Sequence, residues 1–324
     1  MTGRLKSIFV ALALTAFASA ASADPKLIEI ASFGEHPALN EVADGFKARM
    51  AVLGYAEGRD VRYEFRHANF DRTLVPQLLQ QVEAQHPDMI FAITTGLNQA
   101  AVRGITDKSI PIVFGAVVDP VVAGIVPDWQ HGSAWSTGAS MLPNFDASFD
   151  YLKQVLPGIK KVGTLFNPGE DNDTSNMELI NKAAAKAGIE VVAVPVDNAN
   201  DLPQRVQSFA GKVDAIFLIQ SNIVQTSVPV VAQVAQRIKL PLFNSVYAPD
   251  LKDQLAGFHA ISYRKNGEHA ADIADRIFKG EKPADIPPYV PQPIDFESYV
   301  SPKGLAAVGL TIPDALKDSP WILK

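Results

Sequence analysis

The chain has 324 residues, of which 47% are hydrophobic and 20% charged, and its formal net charge is −6. This length is enough for two domains of ordinary size, and the composition is that of a globular protein. A negative net charge provides no general basic surface, which argues against a nucleic-acid partner. Because the chain has no cysteine, disulfides, thiolate metal sites and a cysteine nucleophile are excluded.

The N-terminal 23 residues have the three-part pattern of a secretory signal peptide. Arg4 and Lys6 are basic, residues 8–17 are apolar, and residues 18–23 hold two A-x-A cleavage patterns. The apolar run is about half the roughly 20 residues that a membrane-spanning helix needs. We therefore expect residues 1–23 to be removed, so that the mature chain begins at Asp24. An exported chain without disulfides suggests a bacterial periplasm or cell surface.

Apolar runs of strand length alternate with helical patterns along the first half of the mature chain. Such alternation is typical of parallel βαβ units. A helix is also expected to open at Thr94-Thr95-Gly96. The other predicted elements, in order, are strand 27–33, helix 39–50, strand 61–66, helix 74–82, strand 89–93 and strand 110–114.

Residues 129–143 are rich in Gly, Ser and Trp and lack periodicity, so we place a crossing between lobes there. The alternation then resumes. Ser175 and Glu178 fit a capping box, which predicts that a helix begins at Ser175 after a polar loop. The remaining predicted elements are helix 145–156, strand 162–166, strand 190–196, helix 201–210, strand 214–219, helix 224–238 and strand 241–245.

The two halves of the chain resemble each other. Residues 86–96 align with 212–222, and residues 109–117 align with 239–247. In each half an Asp precedes an apolar strand, and a polar triplet, a helix and an x-Pro-apolar strand follow. Two similar lobes facing each other is the simplest account. The alternative is that any two βαβ units look alike, because this patterning is itself common.

The last quarter of the chain is less regular. We expect a strand at 256–261, a helix at 263–279, an extended Pro-rich segment between the lobes at 283–293, and short helices at 303–308 and 313–316. The sequence therefore predicts an N-terminal lobe and a C-terminal lobe that exchange segments near the end of the chain. The N-terminal lobe comprises residues 24–139 plus about 262–290, and the C-terminal lobe comprises residues 140–261 plus about 291–324.

Common catalytic and metal motifs are absent from the sequence. It contains no G-x-S-x-G, H-E-x-x-H, P-loop or G-x-G-x-x-G pattern, and its six histidines show no metal-ligand spacing. Residues 171–173 are similar to the start of a calcium loop. However, Asn176 and Lys182 stand where that loop requires Gly and a bidentate Glu. We therefore predict that the protein is not an enzyme and that it has no catalytic residues, no bound metal and no cofactor.

The candidate ligand-binding residues lie in loops that follow the predicted strands. Ligands of open α/β sheets collect at this edge. Hydroxyls, amides and helix N-termini hold carboxylates or hydroxyls, carboxylates hold ammonium groups, and aromatic rings stack on apolar ligand bodies. The candidates are Phe33, Glu35, His36, Thr94, Thr95, Gly96, Asp119, Asn167, Glu170, Asn172, Gln220, Ser221, Asn222, Asn244 and Tyr247.

Several of these residues also have ordinary structural explanations. Thr95 and Asn222 are residue types that cap helices, and Asp119 before a proline is typical of a turn. His36 fits a solvated loop equally well. No single position is diagnostic, so the prediction depends on their shared place at one edge of the sheets.

Five stretches resemble one family: residues 35–47, 117–126, 156–173, 211–217 and 278–287. They are similar to segments of the substrate-binding proteins of ABC transporters of the tryptophan/tyrosine type. They occur in the same order as in that family and cover nearly the whole mature chain. The resemblance implies a type I periplasmic binding fold. It also implies a secreted receptor that traps a small ligand and delivers it to a membrane permease with its ATPase.

The loops that hold the candidate residues fall where this family lines its cleft. Two departures from the family pattern touch the site. In the loop after Asn167, the family usually has E-x-N-S, and this chain has Glu170-Asp171-Asn172-Asp173. At the end of the strand predicted at 241–245, the family commonly has an acidic residue, and residues 244–247 contain none.

The resulting prediction is an α/β protein of two doubly wound, Rossmann-like lobes joined by a multi-strand hinge. We expect a periplasmic solute-binding protein for an amino acid or related small metabolite, with an ABC permease and its ATPase as partners. Contact with membrane components would be peripheral. The alternative is a ligand-sensing input protein for a membrane receptor or kinase, and an enzyme on the same fold is the least supported reading because no catalytic constellation is present.

Overall fold

The computed structural model of the protein describes residues 24–247 and 249–322. The expected signal peptide and its cleavage site after Ala23 lie outside the described residues. Within them the chain forms two α/β lobes, each built on a largely parallel sheet, and the predicted fold class is confirmed. Among these residues no helix combines the length and the apolar character needed to cross a bilayer.

Strands and longer helices alternate along most of the chain. The strands are β1 Lys26–Ser32, β2 Val61–His67, β3 Met89–Ile93, β4 Ile112–Val117, β5 Ser136–Ser140, β6 Lys161–Phe166, β7 Glu190–Pro195, β8 Ala215–Leu218, β9 Leu242–Val246, β10 Gly257–Ile261 and β11 Phe296–Val300. The helices are α1 Pro37–Val52, α2 Val75–Glu83, α3 Thr95–Gly104, α4 Phe145–Val155, α5 Asp171–Ala187, α6 Leu202–Gln207, α7 Asn222–Gln225, α8 Val228–Arg237, α9 Tyr263–Phe278 and α10 Pro302–Ala307.

The two sheets have matching strand orders. The first runs β2-β1-β3-β4-β5, and the second runs β11-β10-β9-β8-β6-β7, in which β11 is the antiparallel member. Their central strands are apolar runs buried on both faces, as β3 and β8 show, because helices cover each side. In each lobe the strand order reverses beside the first strand, β1 or β6. That is where doubly wound folds open a crevice at the carboxyl edge.

Two strands were not predicted. β5 lies inside the stretch expected to be irregular, residues 129–143, and β11 lies beyond the last predicted strand. β5 reads Ser-Thr-Gly-Ala-Ser and carries no apolar run. It is held by pairing with β4, and a Cβ on its Gly138 would lie 2.2 Å from the Phe114 carbonyl oxygen. The periodicity of the sequence cannot reveal a strand whose stability comes from a distant partner.

Two helix predictions were wrong in detail. α5 begins at Asp171 rather than Ser175, so the polar run expected to be a loop forms the first turns of the helix. The single helix expected at 224–238 is two helices, α7 and α8. Pro229 explains the break, because its ring has no N–H and clashes with the carbonyl four residues earlier in a continuous helix.

Helix α9 follows the second sheet in sequence but packs on α1 in the first lobe. The two helices approach backbone to backbone. A Cβ on Gly267 would lie 1.9 Å from the Val42 carbonyl oxygen, and a Cβ on Gly45 would lie 2.1 Å from that of Arg264. Glycine at these two positions therefore permits the close contact that joins α9 to the first lobe.

Side chains tie the segments that pass between the lobes. Asn266 on α9 accepts from the Ala116 N–H at 2.8 Å and donates to the carbonyls of Ala139 (3.1 Å) and Ser140 (2.9 Å). These bonds fix α9 to β4 and to the end of β5, where the chain leaves the first sheet. Asn266 therefore anchors one side of the hinge.

Asp295 anchors the other side of the hinge. Its carboxylate accepts from Tyr289 Oη at 2.6 Å and contacts Nε2 of His269 at 2.9 Å, while its carbonyl accepts from the Ser262 N–H at 2.9 Å. These contacts hold together two segments in which the chain passes from one lobe to the other, at Ser262 and at residues 290–295. The residue limits predicted for the lobes stay a prediction, and these contacts show where the chain passes from one sheet to the other.

Candidate functional site

The carboxyl edges of the two sheets face each other across small cavities. The central cavity receives residues from the ends of β3, β4 and β8 and from the start of α5, so both lobes contribute to it. Its lining consists of Leu39, Thr94, Thr95, Ala116, Val118, Met141, Asn172, Gln220, Asn222 and Tyr263.

Two further cavities flank the central one between the lobes. The first is lined by His36, Ala38, Leu39, Phe70, Gln220, Ser221, Asn222, Gln225, Thr226, Val246 and Tyr263. The second, at the mouth, is lined by Phe33, Arg72, Val75, Gly96, Gln99, Ala100, Arg103, Gly169, Glu170, Asp171, Asn172 and Asn222. Asn222 lines all three cavities, which places the start of α7 at the middle of the interface.

Two non-glycine residues in the central cavity have strained backbones. Thr94 has φ 91° and Ala116 has φ 51°, and both lie where a strand of the first sheet ends. Such conformations persist only where surrounding contacts hold them, and they concentrate at functional sites. Here Ala116 is held by the Asn266 side chain, and the Thr94 N–H donates to the Gly115 carbonyl.

Two polar atoms in the central cavity lack a protein partner. Thr94 Oγ1 and Gln220 Oε1 are buried and make no hydrogen bond within residues 24–247 and 249–322. Buried polar atoms are nearly always satisfied, so unpaired atoms on opposite walls of a cavity are places where a ligand can bind. Thr95 differs, since its hydroxyl accepts from the Val118 N–H at 3.4 Å.

His36 bridges the two lobes. Its Nδ1 accepts from the Ala38 N–H at 3.3 Å as the N-cap of α1, which leaves the proton on Nε2. Nε2 donates to the carbonyl oxygen of Gln225 at 3.1 Å, across the interface. Burial lowers the pKa of His36, so the neutral ring is favoured. The lobes are therefore closed on one another at this side.

Glu170 joins the loop after β6 to the start of α7. Its buried carboxylate accepts from the backbone N–H of Asn222 at 3.2 Å and from the Asn222 side chain at 2.7 Å. Asn167 donates to it at 3.1 Å. A carboxylate that accepts several N–H bonds at a cleft rim supplies local negative charge for a cationic group.

Asp173 is a buried carboxylate beside Glu170 that the sequence analysis did not select. It accepts from the Asn167 N–H at 2.6 Å and from the Asn172 side chain at 2.8 Å. Burial, and then the charge of Glu170, raise the pKa of Asp173 well above its usual range. Asp173 stands where the family commonly has Ser, and only the fold shows that its carboxylate is buried together with that of Glu170 at the start of α5.

Ten of the fifteen candidate residues line these cavities. They are Phe33, His36, Thr94, Thr95, Gly96, Glu170, Asn172, Gln220, Ser221 and Asn222. Their role in binding stays a prediction.

Two of the other five candidates make local contacts outside these cavities. The Glu35 side chain is 61% exposed and lies 3.6 Å from His67. Asp119 accepts from the N–H groups of Val121 and Val122, which is the turn role considered for it.

The remaining three candidates support the loops around the cleft. Asn167 accepts from the Gly169 N–H at 2.9 Å, and Asn244 is buried and exchanges hydrogen bonds with the Gln225 side chain. Tyr247 is exposed and packs edge-on against Phe258. None of these three lines any of the three cavities described above.

Several residues that line the cavities are not among the residues predicted from the sequence. Arg72, at the mouth, lies in the segment that follows β2, an edge strand of the first sheet. Tyr263, the first residue of the helix predicted at 263–279, lines two cavities, and burial raises its pKa. Examining the loop after each strand would have found Arg72. Within the described residues, no three acidic or histidine side chains converge as they would around a metal ion.

Relatives of this chain are substrate-binding proteins. Residues 27–321 match the family model described as ABC transporter substrate binding protein. The chain is 29% identical over 262 residues to the tyrosine-binding protein of Clostridioides difficile (strain R20291), which covers 81% of this chain and 75% of that protein. Members of this family are ligand carriers rather than enzymes, and they are typically extracytoplasmic.

Solved structures give the same result. The chain superposes on an ABC domain from Streptococcus pneumonia in complex with L-Trp with a TM-score of 0.84, at 26% identity, covering 92% of this chain and 100% of that one. A ligand-free, open substrate-binding protein with adhesive properties from Clostridium difficile gives 0.70, at 28% identity, covering 92% and 99%. The lower score with the open structure agrees with the contacts that close the lobes here. The resemblance seen in the sequence is confirmed, and the chain belongs to the ABC transporter substrate-binding protein family.

Proposed function

We propose that this protein captures an amino acid or a related small metabolite between its lobes and delivers it to an ABC permease. The observation that carries the proposal is the central cavity, to which the carboxyl edges of both sheets contribute. In the closed arrangement the central cavity holds only about 20 Å³, so an amino acid would also occupy the adjoining cavities, of about 30 and 240 Å³. A ligand that spans them would touch both lobes, so its binding would stabilise the closed arrangement. The unpaired Thr94 Oγ1 and Gln220 Oε1 supply a polar contact from each side.

An amino acid suits the chemistry of this interface. The N-terminus of α3, which begins at Thr95 beside the central cavity, favours a carboxylate. Glu170, at the adjoining mouth, favours an ammonium group. Phe33 at the mouth and Tyr263 in the central cavity offer aromatic surface to an apolar side chain. The relatives named for tyrosine and solved with L-Trp make those two amino acids the first ligands to test.

Binding is tested by thermal unfolding and calorimetry of residues 24–324. The panel contains L-Trp, L-Tyr, other amino acids, nucleosides, sugars and organic acids. A ligand at 100 times its Kd should stabilise the folded state by about 2.7 kcal/mol and raise Tm by several degrees. If no member of the panel changes Tm or releases heat, the protein is not a carrier for these classes.

The central cavity is tested with Thr94→Val, which removes the hydroxyl and keeps the side-chain shape. We expect a roughly threefold to tenfold loss of affinity, the effect of one neutral hydrogen bond. Thr311→Val, at an exposed position outside the cavities, is the matched control and should bind as the parent does. Equal affinities for parent and Thr94→Val would place the ligand elsewhere.

Delivery to a permease is tested in cells. Deleting the gene should abolish uptake of the radiolabelled ligand, and cell fractionation should recover the mature chain from the periplasm. If uptake continues unchanged while a membrane kinase loses its response to the ligand, the protein acts as a sensor input.

A further inference from the structure

A fourth cavity, of about 330 Å³, lies behind the hinge. It shares no lining residue with the three cavities between the lobes. Its walls come from α5, the start of α4 and two segments that pass between the lobes, residues 142–144 and 290–293. Its size reaches the lower end of the range that small-molecule pockets occupy.

The lining of this hinge cavity is mainly apolar. Leu142, Phe145, Leu179, Val290 and Phe296 supply hydrocarbon and aromatic surface, and each of them except Phe145 is only partly buried by the protein. A ligand body placed here would remove further apolar surface from water, which is favourable in proportion to the area covered.

The polar groups of the cavity favour a negative charge. Asp146 is the acidic residue in the lining, and its salt bridge to Lys186 at 2.7 Å neutralises both side chains. Lys182 makes no ion pair with the described part of the chain, so its charge is available to a ligand. The first N–H groups of α4 lie on the same cavity and add partial positive charge.

We propose that the hinge cavity binds a small organic anion with an apolar body, a carboxylate or sulfonate whose charge lies at Lys182. Its occupancy favours the closed arrangement of the lobes. The reason is geometric, because segments 142–144 and 290–293 both form walls and their relative position depends on the lobe angle. A ligand that contacts both segments stabilises the arrangement in which the cavity has this shape.

Binding is measured with 8-anilinonaphthalene-1-sulfonate, a fluorescent probe with an aromatic body and one sulfonate. Residues 24–324 should give a saturable rise in fluorescence. Lys182→Glu should weaken the probe's affinity roughly fivefold to thirtyfold, because a favourable charge becomes a repulsive one. Lys212→Glu makes the same change in net charge at an exposed position outside the cavity and should leave the affinity unchanged.

A steric variant and two competitors locate the probe independently of charge. Leu179→Trp, on the cavity wall, should reduce binding, whereas Val52→Trp, exposed on α1, should not. Octanoate should displace the probe, and octylamine, which has the same chain and the opposite charge, should not. Equal effects of Lys182→Glu and Lys212→Glu, or displacement by octylamine, would overturn the site.

The coupling to closure is measured with fluorescent dyes on Val122→Cys and Ala199→Cys, exposed positions on the two lobes. The chain has no cysteine of its own, so both dyes attach specifically. Octanoate should increase energy transfer between the dyes, and Lys182→Glu should abolish the increase. Unchanged or decreased energy transfer in the parent protein would overturn the coupling between occupancy of the hinge cavity and lobe closure. The binding of the anion would then be judged by the probe experiment alone. The design needs no cleft ligand, so its failure is distinct from failure of the proposed function.

Discussion

His36 Nε2 lies 3.1 Å from the carbonyl oxygen of Gln225, and this hydrogen bond joins the two lobes directly. The opposite ring nitrogen accepts from the Ala38 N–H, and this second contact requires a neutral ring. Opening the lobes would expose the ring to water and break the bond to Gln225. The closed arrangement is therefore linked to the protonation state of one histidine.

Ligand affinity is expected to fall at acid pH. Burial lowers the pKa of His36 in the closed arrangement, so the closed state binds fewer protons than the open state. The equilibrium constant for closing the lobes falls as the pH drops below the ordinary histidine pKa of about 6.5. The fall is at most about tenfold per pH unit and ends when the pH reaches the lowered pKa of His36. Calorimetry of the cleft ligand between pH 7.5 and 5 measures this loss. His36→Gln should make the affinity nearly independent of pH, whereas His131→Gln, at an exposed histidine, should leave the pH dependence unchanged. If the affinity of the parent protein does not change with pH, closure is not linked to the protonation of His36.

His259 should make the folded state sensitive to acid. Burial lowers its pKa to about 4, and its Nδ1 contacts Ser298 Oγ at 2.7 Å. Because this histidine is neutral in the fold, the stability it contributes is present above about pH 6.5. Up to about 3 kcal/mol of it is lost as the pH falls to about 4. Urea unfolding at pH 7, 5.5 and 4.5 should show a smaller loss in His259→Phe than in the parent. An identical pH dependence in the two proteins would exclude His259 as the cause.

Asn266→Ala should strongly destabilise the protein. The substitution leaves three backbone groups, on the half-buried Ala116 and the buried Ala139 and Ser140, without the Asn266 side chain as a hydrogen-bond partner. We expect the free energy of unfolding to fall by about 2–4 kcal/mol. Asn181→Ala, at an exposed position on α5, should change it by less than about 0.5 kcal/mol. Urea denaturation measures both variants, and similar values for the two would show that the hinge does not depend on this side chain.

Gly267→Ala tests the contact between α1 and α9. The added methyl would lie 1.9 Å from the Val42 carbonyl oxygen, so the helices must separate. We expect a loss of about 1–3 kcal/mol, the usual cost of overpacking. Gly104→Ala meets only ordinary contact, with Leu79 Cδ1 at 3.7 Å, and should be neutral or up to about 1 kcal/mol stabilising. Equal urea-denaturation midpoints for the two variants would contradict the close approach of α1 and α9.

Part of the site followed from the sequence. Polar residues directly after apolar strands, such as Thr94 after β3 and Gln220 after β8, line the interface because the carboxyl ends of parallel strands share one edge. The contact partners of these residues did not follow. Asn244 lies in the middle of β9, where it pairs with Gln225 inside one lobe, and it lines none of the three cavities described between the lobes. Strand position specifies the edge on which a side chain lies, and the neighbouring loops specify whether it reaches the cleft.

The sequence by itself determined the two-lobed α/β fold. Alternating apolar strands and amphipathic helices, repeated in both halves, can bury their apolar faces only by forming such layers. Only the tertiary structure decided which polar groups pair across the lobes, where α9 and β11 pack, and that Lys182 lies on a cavity behind the hinge. These depend on contacts between residues far apart in the chain, whereas periodicity reports only on neighbours within a few turns or strands.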